Sequence, residues 1–317
     1  MKVIGFREIQ SAGIDPAEYI TWAGEALRLK TNAVLPPKSS MKPSGEGYEN
    51  VFFNCMPCLI PQIQRGGVKL VTRYPERRPA LDSEILLYDM SDGSCLALMD
   101  GDLITAMRTG AVAALSARFY GKTNFSKIAF IGLGNTARAT LLCLDADQKR
   151  PLEVGLLAYK DQQDDFRQRF EGYGNLRFTV FQNADELCSW ADVTISCVTA
   201  ANSDICDVNA FQPGSLVIPV HTRGFAQCDL TFDKVFCDDK AHVSNFGYYN
   251  QFKDRLAEMV DVLEGRASGR DNDFQRIIAY NIGISLHDIY CAARIYDRLG
   301  AQCQEVLLEK PAAKFWA

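Results

Sequence analysis

Three residues with polar or ionisable side chains, His221, Thr222 and Arg223, stand together after the apolar run SLVIPV. Histidine has an ordinary pKa near neutrality, so it can donate or accept a proton in that range. The chain has only three histidines, and one that follows a predicted strand is a candidate proton donor. Structural histidines are also common in loops, so both interpretations of His221 stay open.

A second set of residues is arranged to bind a dinucleotide. The segment KIAFIGLGNTARA joins a predicted strand to a predicted helix, with Gly132, Gly134 and Ala137 in a G-x-G-x-x-A pattern. The first glycine allows a tight turn, the second lets the backbone approach a pyrophosphate, and the alanine lets the helix pack on the strand. Asn135 and Thr136 add side-chain donors. We therefore predict a dinucleotide site at this turn.

The end of the next predicted strand, LLAYKDQQDD, indicates which dinucleotide binds. A cation at this position favours the 2′-phosphate of NADP, whereas an acid favours the 2′-hydroxyl of NAD. Lys160 comes first and favours NADP, but Asp161 is adjacent, so NAD stays open. Both side chains are also explained as solvated loop charges.

The elements that position these residues follow from hydrophobic periodicity. From about residue 124 to 240, short apolar runs alternate with helical ones, which is typical of parallel strands with crossover helices. The first hundred residues predict strands after a helix at residues 15–30, with a hairpin at SDG. Further helices are predicted at residues 104–121 and in the tail segments FKDRLAEMVDVLEGRASGR and NIGISLHDIYCAARIYDRL.

Composition limits the classes of function. With 317 residues, 47% of them hydrophobic, the chain has room for about two domains. It contains no apolar run long enough for a membrane helix, and its net charge of −5 with mixed signs argues against a nucleic-acid partner. Small molecules are the expected partners.

The cysteines indicate a reducing compartment. There are eleven, an odd number, and the N-terminal segment MKVIGFREIQ has no apolar signal region, so we expect reduced thiols and a cytoplasmic protein. Cys55 and Cys58 have redox spacing, but an apolar run and a proline follow them instead of a helix start. They are interpreted mainly as buried small side chains. No metal site is expected, because no second cysteine pair or histidine pair has zinc-ligand spacing.

Two neighbouring segments, ALMDGDLITAMRTGAVAALSARFYG and IAFIGLGNTARA, together resemble the ornithine cyclodeaminase and mu-crystallin family. Typical members have an Ala-Leu/Val-Met/Leu-Asp-Gly run, a Thr-Ala-x-Arg-Thr-x-Ala core and a Rossmann strand, which here are residues 97–101, 105–111 and 128–137. The resemblance extends over most of the chain through LPPKSS, NCMPCL, GVKLVT, MVDVLEGRASGR and NIGISLHD.

This resemblance implies an α/β fold in which a Rossmann-type parallel-sheet domain is inserted in an α+β substrate-binding and dimerisation domain. The predicted boundaries are residues 123–285 for the NAD(P)-binding domain and residues 1–122 plus 286–317 for the other. It also implies a homodimer, and a shared chemistry of hydride transfer between a nicotinamide and the α-carbon of an amino acid or its imine.

An α-imino acid carries a carboxylate beside the carbon that receives hydride, so cations must hold that group. Lys69 and Arg108 match the family's carboxylate-binding positions, and Lys38 stands where the family usually has a third contact, an arginine. Lys69 is also predicted to take part in catalysis, and Thr109 and Thr199 are predicted to contact the cofactor. Without the resemblance, Lys69 and Arg108 are better explained as surface cations.

Arg223 departs from the family pattern. Members typically have an aspartate at this position, which serves in proton transfer or binds the substrate amine. An arginine stays protonated and repels an ammonium group, so a cyclodeaminase mechanism is disfavoured. Arg223 would instead hold a second anionic group, which favours a substrate with two carboxylates.

The predicted function is an NAD(P)-dependent oxidoreductase acting on the C–N bond of an amino acid or its imine, such as a ketimine reductase or an amino-acid or opine-type dehydrogenase. Two alternatives stay open. One is a cyclodeaminase that uses bound NAD and releases ammonia. The other is a non-catalytic protein that binds a nucleotide and a small ligand.

Overall fold

The computed structural model describes residues 1–199 and 201–314, which divide into two compact units. The first unit comprises Met1–Ile14, Asn32–Ile104 and the chain from Asp288 onward, and the second comprises Asp15–Thr31 and Thr105–His287. We call the second the Rossmann unit. Residues 105–122 thus cluster with the Rossmann unit, and the domain boundaries predicted from the sequence stay a prediction.

The first unit is built on a six-stranded sheet with the order β1-β6-β5-β4-β3-β2, in which only the β1–β6 pair is parallel. The expected hairpin is confirmed, because β5 and β6 pair around Gly93, which has a φ of +74°. One short helix, α1, follows β1. The elements are β1 (Lys2–Ile4), α1 (Phe6–Ser11), β2 (Ser39–Met41), β3 (Phe52–Ile60), β4 (Arg65–Arg73), β5 (Leu81–Asp89) and β6 (Cys95–Asp100).

The Rossmann unit contains an eight-stranded parallel sheet, which confirms the predicted fold class. Its strands are β7 (Lys127–Ile131), β8 (Leu152–Leu157), β9 (Leu176–Phe181), β10 (Val193–Ser196), β11 (Leu216–Pro219), β12 (Lys234–Cys237), β13 (Leu256–Glu258) and β14 (Ile277–Tyr280). The order is β13-β12-β14-β11-β10-β7-β8-β9. Strands β7 to β9 are added toward one edge of the sheet and the strands from β10 onward toward the other, so the switch point lies between β7 and β10. Ligands of such sheets bind at the carboxyl ends of the strands at this point.

Helices accompany these strands. Within the Rossmann unit they are α2 (Pro16–Leu29), α4 (Asn135–Gln148), α5 (Gln162–Gln168), α6 (Ala184–Trp190), α7 (Ala226–Thr231), α8 (Lys240–Val243), α9 (Tyr249–Phe252) and α10 (Met259–Leu263). Two more helices include residues of both units: α3 (Asp102–Tyr120) and α11 (Ser285–Leu299). None of the helices in the described part of the chain is long and apolar enough to cross a membrane.

Local sequence explains where several helices begin. The Asp15 side chain accepts the Ala17 main-chain N–H at 2.8 Å, and Pro16 occupies the first turn of α2, as capping rules predict. The apolar face of α2, including Trp22 and Ala26, is buried. The helices predicted at residues 15–30 and 104–121 are therefore confirmed.

The single helix predicted across FKDRLAEMVDVLEGRASGR is wrong. The segment instead contains the end of α9, a turn, strand β13 and the short α10. Pairing decides the outcome, because β13 adds to β12 in parallel register and buries Leu256. A capping box between Glu258 and Asp261 then starts a new helix. Strand pairing therefore overrides the helical spacing of the apolar residues in this segment.

Candidate functional site

The glycine-rich turn between β7 and α4 has the geometry of a dinucleotide site. Gly132 has a φ of +84°, and a Cβ there would lie 2.9 Å from main-chain atoms of Cys197, so only glycine fits. Gly134 is the N-cap of α4 and faces open space, with no side-chain cap among the described residues. Ala137 is fully buried. The first turn of α4, with Asn135 and Thr136, is thus open to an anion.

Helix α3 packs directly against α4. A Cβ on Gly110 would lie 2.6 Å from the Ala139 carbonyl carbon, so the two helix backbones approach closely. Arg108 and Thr109 precede Gly110 on α3 and are both buried. The Thr109 hydroxyl donates to the Thr105 carbonyl at 2.6 Å, within its own helix. The predicted carboxylate-binding arginine is therefore fixed on the helix that packs against the dinucleotide turn.

In the first unit, Lys69 lies on β4 and forms a buried ion pair. Its Nζ is 2.8 Å from Oδ2 of Asp288 on α11, and the two side chains are 1% and 0% exposed. Burial, together with the Asp288 charge, raises the pKa of the neighbouring Cys58 thiol to about 12, which is typical of an inert thiol rather than a redox centre. Lys38, the other predicted cation of this unit, is half-buried and directly precedes β2.

His221 follows β11, and its Nε2 lies 2.6 Å from the hydroxyl of Ser196, the last residue of β10. Burial lowers the pKa of His221 to about 4, with a main-chain hydrogen bond involving Arg223 opposing the shift. This lowered pKa disfavours proton donation by His221 at neutral pH, and its catalytic role stays a prediction. The ring is uncharged at neutral pH because burial disfavours the imidazolium.

Arg223 is exposed and lines a cavity of about 470 Å³ at the carboxyl edge of the Rossmann sheet. The same cavity is lined by Asp229, which accepts a hydrogen bond from the Tyr280 hydroxyl at 2.7 Å. Burial raises the pKa of Asp229 to about 7. Asp204, also on the wall, instead accepts main-chain N–H groups at the start of α7.

The end of β8 carries the predicted selector of the dinucleotide. Lys160 and Asp161 are both exposed and have left-handed φ values of +47° and +61°. The Lys160 ammonium lies 5.1 Å from the Tyr159 ring centre. On α4, burial and the nearby charge of Arg169 lower the pKa of Arg138, with the charge of Asp165 opposing the shift. Thr199 is exposed in the loop after β10.

The structure brings together the ends of β7, β10, β11 and β14 with their predicted residues, and places Lys38 and Lys69 in the first unit. Sequence reasoning missed several buried polar partners. No local sequence pattern identifies them, because each makes its contact with a residue distant in the chain. The missed residues are Ser196, Asp229, Asp238, Gly283 and Asp288. No group of three or more metal-ligating side chains occurs among the described residues.

Comparison with known proteins assigns the family. The model of the ornithine cyclodeaminase/mu-crystallin family matches residues 17–302. The chain belongs to this family. Its membership confirms the resemblance that the sequence motifs indicate, over nearly the whole chain.

Individual relatives are distant but align over most of their length. The nodulation efficiency protein NfeD of Rhizobium meliloti is 26% identical over 83% of both chains. A delta(1)-pyrroline-2-carboxylate reductase of Bacillus cereus is 23% identical, over 94% of this chain and 96% of the relative. The fold matches the solved delta(1)-pyrroline-2-carboxylate reductase of Thermococcus litoralis in complex with NADH and L-proline, with a TM-score of 0.87, 20% identity and coverage of 96% and 100% of the two chains.

Proposed function

We propose that the protein reduces the C=N bond of an α-imino acid to an amine, with a reduced nicotinamide dinucleotide as the hydride donor. In reaction class it is an NAD(P)-dependent oxidoreductase that acts on the C–N bond of an amino acid or its imine, as the sequence predicts. The close packing of α3 on α4 carries the finer proposal. One pair of helices holds both the buried Arg108 guanidinium and the dinucleotide turn.

The dinucleotide is proposed to bind across the switch point. Gly132, Gly134 and the first turn of α4 would hold the pyrophosphate, because main-chain N–H groups there face open space. Thr199 and His221, at the ends of β10 and β11, would line the nicotinamide half. When bound, the nicotinamide supplies or accepts the hydride. The chain's own residues then orient the substrate and supply the proton.

Lys38 and Lys69 of the first unit and Arg108 of the Rossmann unit are each proposed as carboxylate-binding residues, as the sequence predicts. Arg108 offers a planar pair of N–H donors, which suits a carboxylate, whereas the two lysines act as point charges. Burial of Arg108 and Lys69 supports this assignment, because a charged hydrogen bond is stronger away from water. The distance between the carboxylate and the reacting carbon then sets the position of hydride transfer.

His221 is proposed to orient a ligand as an uncharged imidazole, held by Ser196. A better match for the proton donor is Asp229, because its pKa lies near 7 and it lines the same cavity as Arg223. Proton transfer from Asp229 to the imine nitrogen leaves its carboxylate stabilised by the Tyr280 hydroxyl. His221 would then affect substrate binding more than proton transfer.

Arg223 supports a substrate with a second acidic group. It is exposed on the cavity wall, so it can approach a carboxylate distal to the reacting carbon. An arginine there repels the terminal ammonium of a diamino acid, which disfavours the cyclodeaminase alternative. We propose an opine-like or dicarboxylic imino acid as the preferred substrate class.

For the cofactor we propose NADP over NAD. The exposed Lys160 at the end of β8 supports a site for a 2′-phosphate. Asp161, beside Lys160, makes no side-chain cap with α5 in the described part of the chain, and its carboxylate is the group that would accept the 2′-hydroxyl of NAD, so a comparison of NADPH and NADH binding tests the preference.

We also propose a homodimer in the cytoplasm. Large apolar side chains are exposed on the sheet of the first unit, among them Met41, Leu59 and Leu81 at 50%, 41% and 45%. Met41 and Leu59 lie on one face of the sheet and Leu81 on the other, so the family membership, rather than one contiguous apolar patch, supports the dimer. Light scattering of the purified protein tests the dimer, and a monomer at micromolar concentration would contradict it.

The decisive experiment for function is a screen of cyclic imines, pairs of α-keto acid with amine, and diamino acids, followed by the absorbance of reduced nicotinamide with both cofactors. A reductase oxidises the cofactor in proportion to product. A cyclodeaminase releases ammonia from a diamino acid with no net change in absorbance. A non-catalytic binding protein shows no turnover, and its ligand binding is insensitive to Arg108→Ala and His221→Ala.

A further inference from the structure

Gly283, in the segment NIGI after β14, lies directly against the Arg108 guanidinium. A Cβ built on Gly283 would be 2.3 Å from Nη1, 2.9 Å from Nη2 and 3.0 Å from Cζ of Arg108. A side chain at position 283 would therefore require the Arg108 guanidinium, the far end of a flexible side chain, to move. The φ of Gly283 is +94°, a second reason why glycine is favoured.

A buried carboxylate holds Gly283 in place. Oδ2 of Asp238, which follows β12, accepts the Gly283 main-chain N–H at 2.5 Å, and Asp238 is 0% exposed. Burial acts to raise the pKa of Asp238, but contacts with His242, the Gly283 N–H and the charge of His287 hold it below its usual value. Asp238 is therefore ionised, and its hydrogen bond to Gly283 is charge-assisted.

Other groups around Asp238 also act on the same loop. The Nδ1 of His242 on α8 lies 3.7 Å from Oδ1 of Asp238, and the Lys30 ammonium binds the Asp238 main-chain carbonyl at 2.8 Å. Two residues before Gly283, the Asn281 side chain donates to the Ser116 hydroxyl on α3 at 2.9 Å. The loop is thus tied to Asp238 at one point and to the arginine's own helix at another.

We propose that Gly283 and Asp238 are positioning residues for Arg108. The bare Cα of Gly283 leaves the space that the guanidinium occupies, and Asp238 fixes the main chain that limits this space. Together they determine where a substrate carboxylate meets the arginine. This inference rests on the proposed role of Arg108 as a carboxylate-binding residue.

The main test is Gly283→Ala, assayed with the imino acid reduced fastest in the screen, starting from delta(1)-pyrroline-2-carboxylate. The added methyl group displaces the guanidinium, so we expect KM for the imino acid to rise about tenfold to a hundredfold, because small misplacements of binding groups are costly. The Kd of the dinucleotide stays within about twofold, since the dinucleotide turn is unchanged.

Gly172→Ala is the matched control. Gly172 has a φ of +95°, yet a Cβ there meets no heavy atom within 4 Å, so this variant carries the same backbone strain without the clash. It should leave KM within about twofold of the wild type. An equal rise of KM in both variants would show that strain, and not displacement of Arg108, is responsible.

A double-mutant cycle with Arg108→Ala separates positioning from general damage. Once the guanidinium is gone, the methyl group at position 283 has nothing to displace, so Arg108→Ala/Gly283→Ala should match Arg108→Ala alone. This pair also keeps the test usable if the single Gly283→Ala variant folds poorly. Additive effects would overturn the proposal.

Asp238→Asn provides an independent test, because the amide keeps an acceptor oxygen and loses the charge. We expect a rise in KM of about threefold to tenfold, again absent in the Arg108→Ala background. An unchanged KM for the imino acid in Asp238→Asn and Gly283→Ala, while Arg108→Ala raises it, would refute the positioning role alone. If Arg108→Ala itself leaves KM unchanged, the proposed carboxylate site fails instead.

Discussion

Two cations proposed as carboxylate-binding residues, one in each unit, have different surroundings. In the first unit, Lys69 is held by charge, because the buried carboxylate of Asp288 lies 2.8 Å from its Nζ. In the Rossmann unit, the Arg108 guanidinium fills the space beside the bare Cα of Gly283. Substitution of Lys69 is therefore expected to lower the free energy of unfolding as well as substrate binding. Substitution of Arg108 or Gly283 is expected to change substrate binding with a smaller effect on the free energy of unfolding.

Buried ionisable groups also differ according to whether an opposite charge lies beside them. The first unit keeps both members of its ion pair deep in the protein. At the carboxyl edge of the Rossmann sheet, burial shifts two groups toward their neutral forms, with the pKa of His221 at about 4 and that of Asp229 at about 7, whereas Asp238 stays ionised beside His242 and His287. A buried group with an opposite charge beside it stays ionised, whereas burial without a counter-ion favours the neutral form of the group.

Lys69→Met should have the largest effect on stability. It leaves the Asp288 carboxylate buried without its counter-ion, and breaking such a pair costs about 3 to 5 kcal/mol. Urea unfolding of the purified variant measures the loss. The double variant Lys69→Met/Asp288→Asn should recover most of it, because neither charge then remains in the interior.

Lys42→Met is the matched control for that measurement. Lys42 belongs to the same unit and is exposed, so its substitution should change the free energy of unfolding by less than about 0.5 kcal/mol. A Lys69→Met variant as stable as Lys42→Met would show that the ion pair does not hold Lys69 by charge.

Arg108→Ala should show the opposite balance between binding and stability. Loss of a charged hydrogen bond to the substrate carboxylate should lower kcat/KM by an amount equivalent to about 2 to 5 kcal/mol, with a smaller loss of stability than Lys69→Met. Arg118→Ala, on the same helix but 49% exposed, should leave kcat/KM nearly unchanged. If Arg108→Ala unfolds the protein as readily as Lys69→Met, the contrast between the two units disappears.

Much of this arrangement could be predicted from the sequence, because it depends on local patterns. The G-x-G-x-x-A turn, the alternating elements after it and the Asp15 cap of α2 all follow from residues within one or two turns of each other. Lys69 and Arg108 were predicted as cations of the site through the family resemblance.

The partners of those cations could not be predicted. Asp288 and Gly283 lie far from Lys69 and Arg108 in the chain, and no period or spacing connects them. The lowered pKa of His221 could not be predicted for the same reason, because burial depends on the whole sheet. The single helix predicted across FKDRLAEMVDVLEGRASGR is wrong for a related reason, because pairing of β13 with β12 outweighs the helical spacing of the residues in β13.

The neutral groups of the Rossmann unit predict opposite responses to pH. Between about pH 4 and 6.5 the unfolded chain binds a proton on His221 that the folded protein does not, so this residue makes stability rise with pH. Between about pH 3.8 and 7 the folded protein binds a proton on Asp229 that the unfolded chain releases, so this residue makes stability fall with pH.

His221→Gln and Asp229→Asn should therefore change the pH dependence of the free energy of unfolding in opposite directions. Relative to the wild type, the free energy of unfolding of His221→Gln should decrease as pH rises from 4 to 6.5. That of Asp229→Asn should increase as pH rises from 4 to 7. Each slope is at most about 1.4 kcal/mol per pH unit. Urea unfolding at several pH values measures both, and parallel profiles would contradict the burial of one or both groups.

The smallest expected effect comes from Lys160, which is held neither by a buried charge nor by a shaped space. It is exposed beside Tyr159, so its interaction with a 2′-phosphate is screened by water and contributes about 1 kcal/mol or less. Lys160→Gln should weaken NADPH binding up to about fivefold and leave NADH binding within twofold. Lys160→Arg, which keeps the charge, should retain the preference. Titration of the quenching of protein fluorescence by each dinucleotide measures the four affinities, and equal losses for NADPH and NADH in Lys160→Gln would exclude a role in choosing between them.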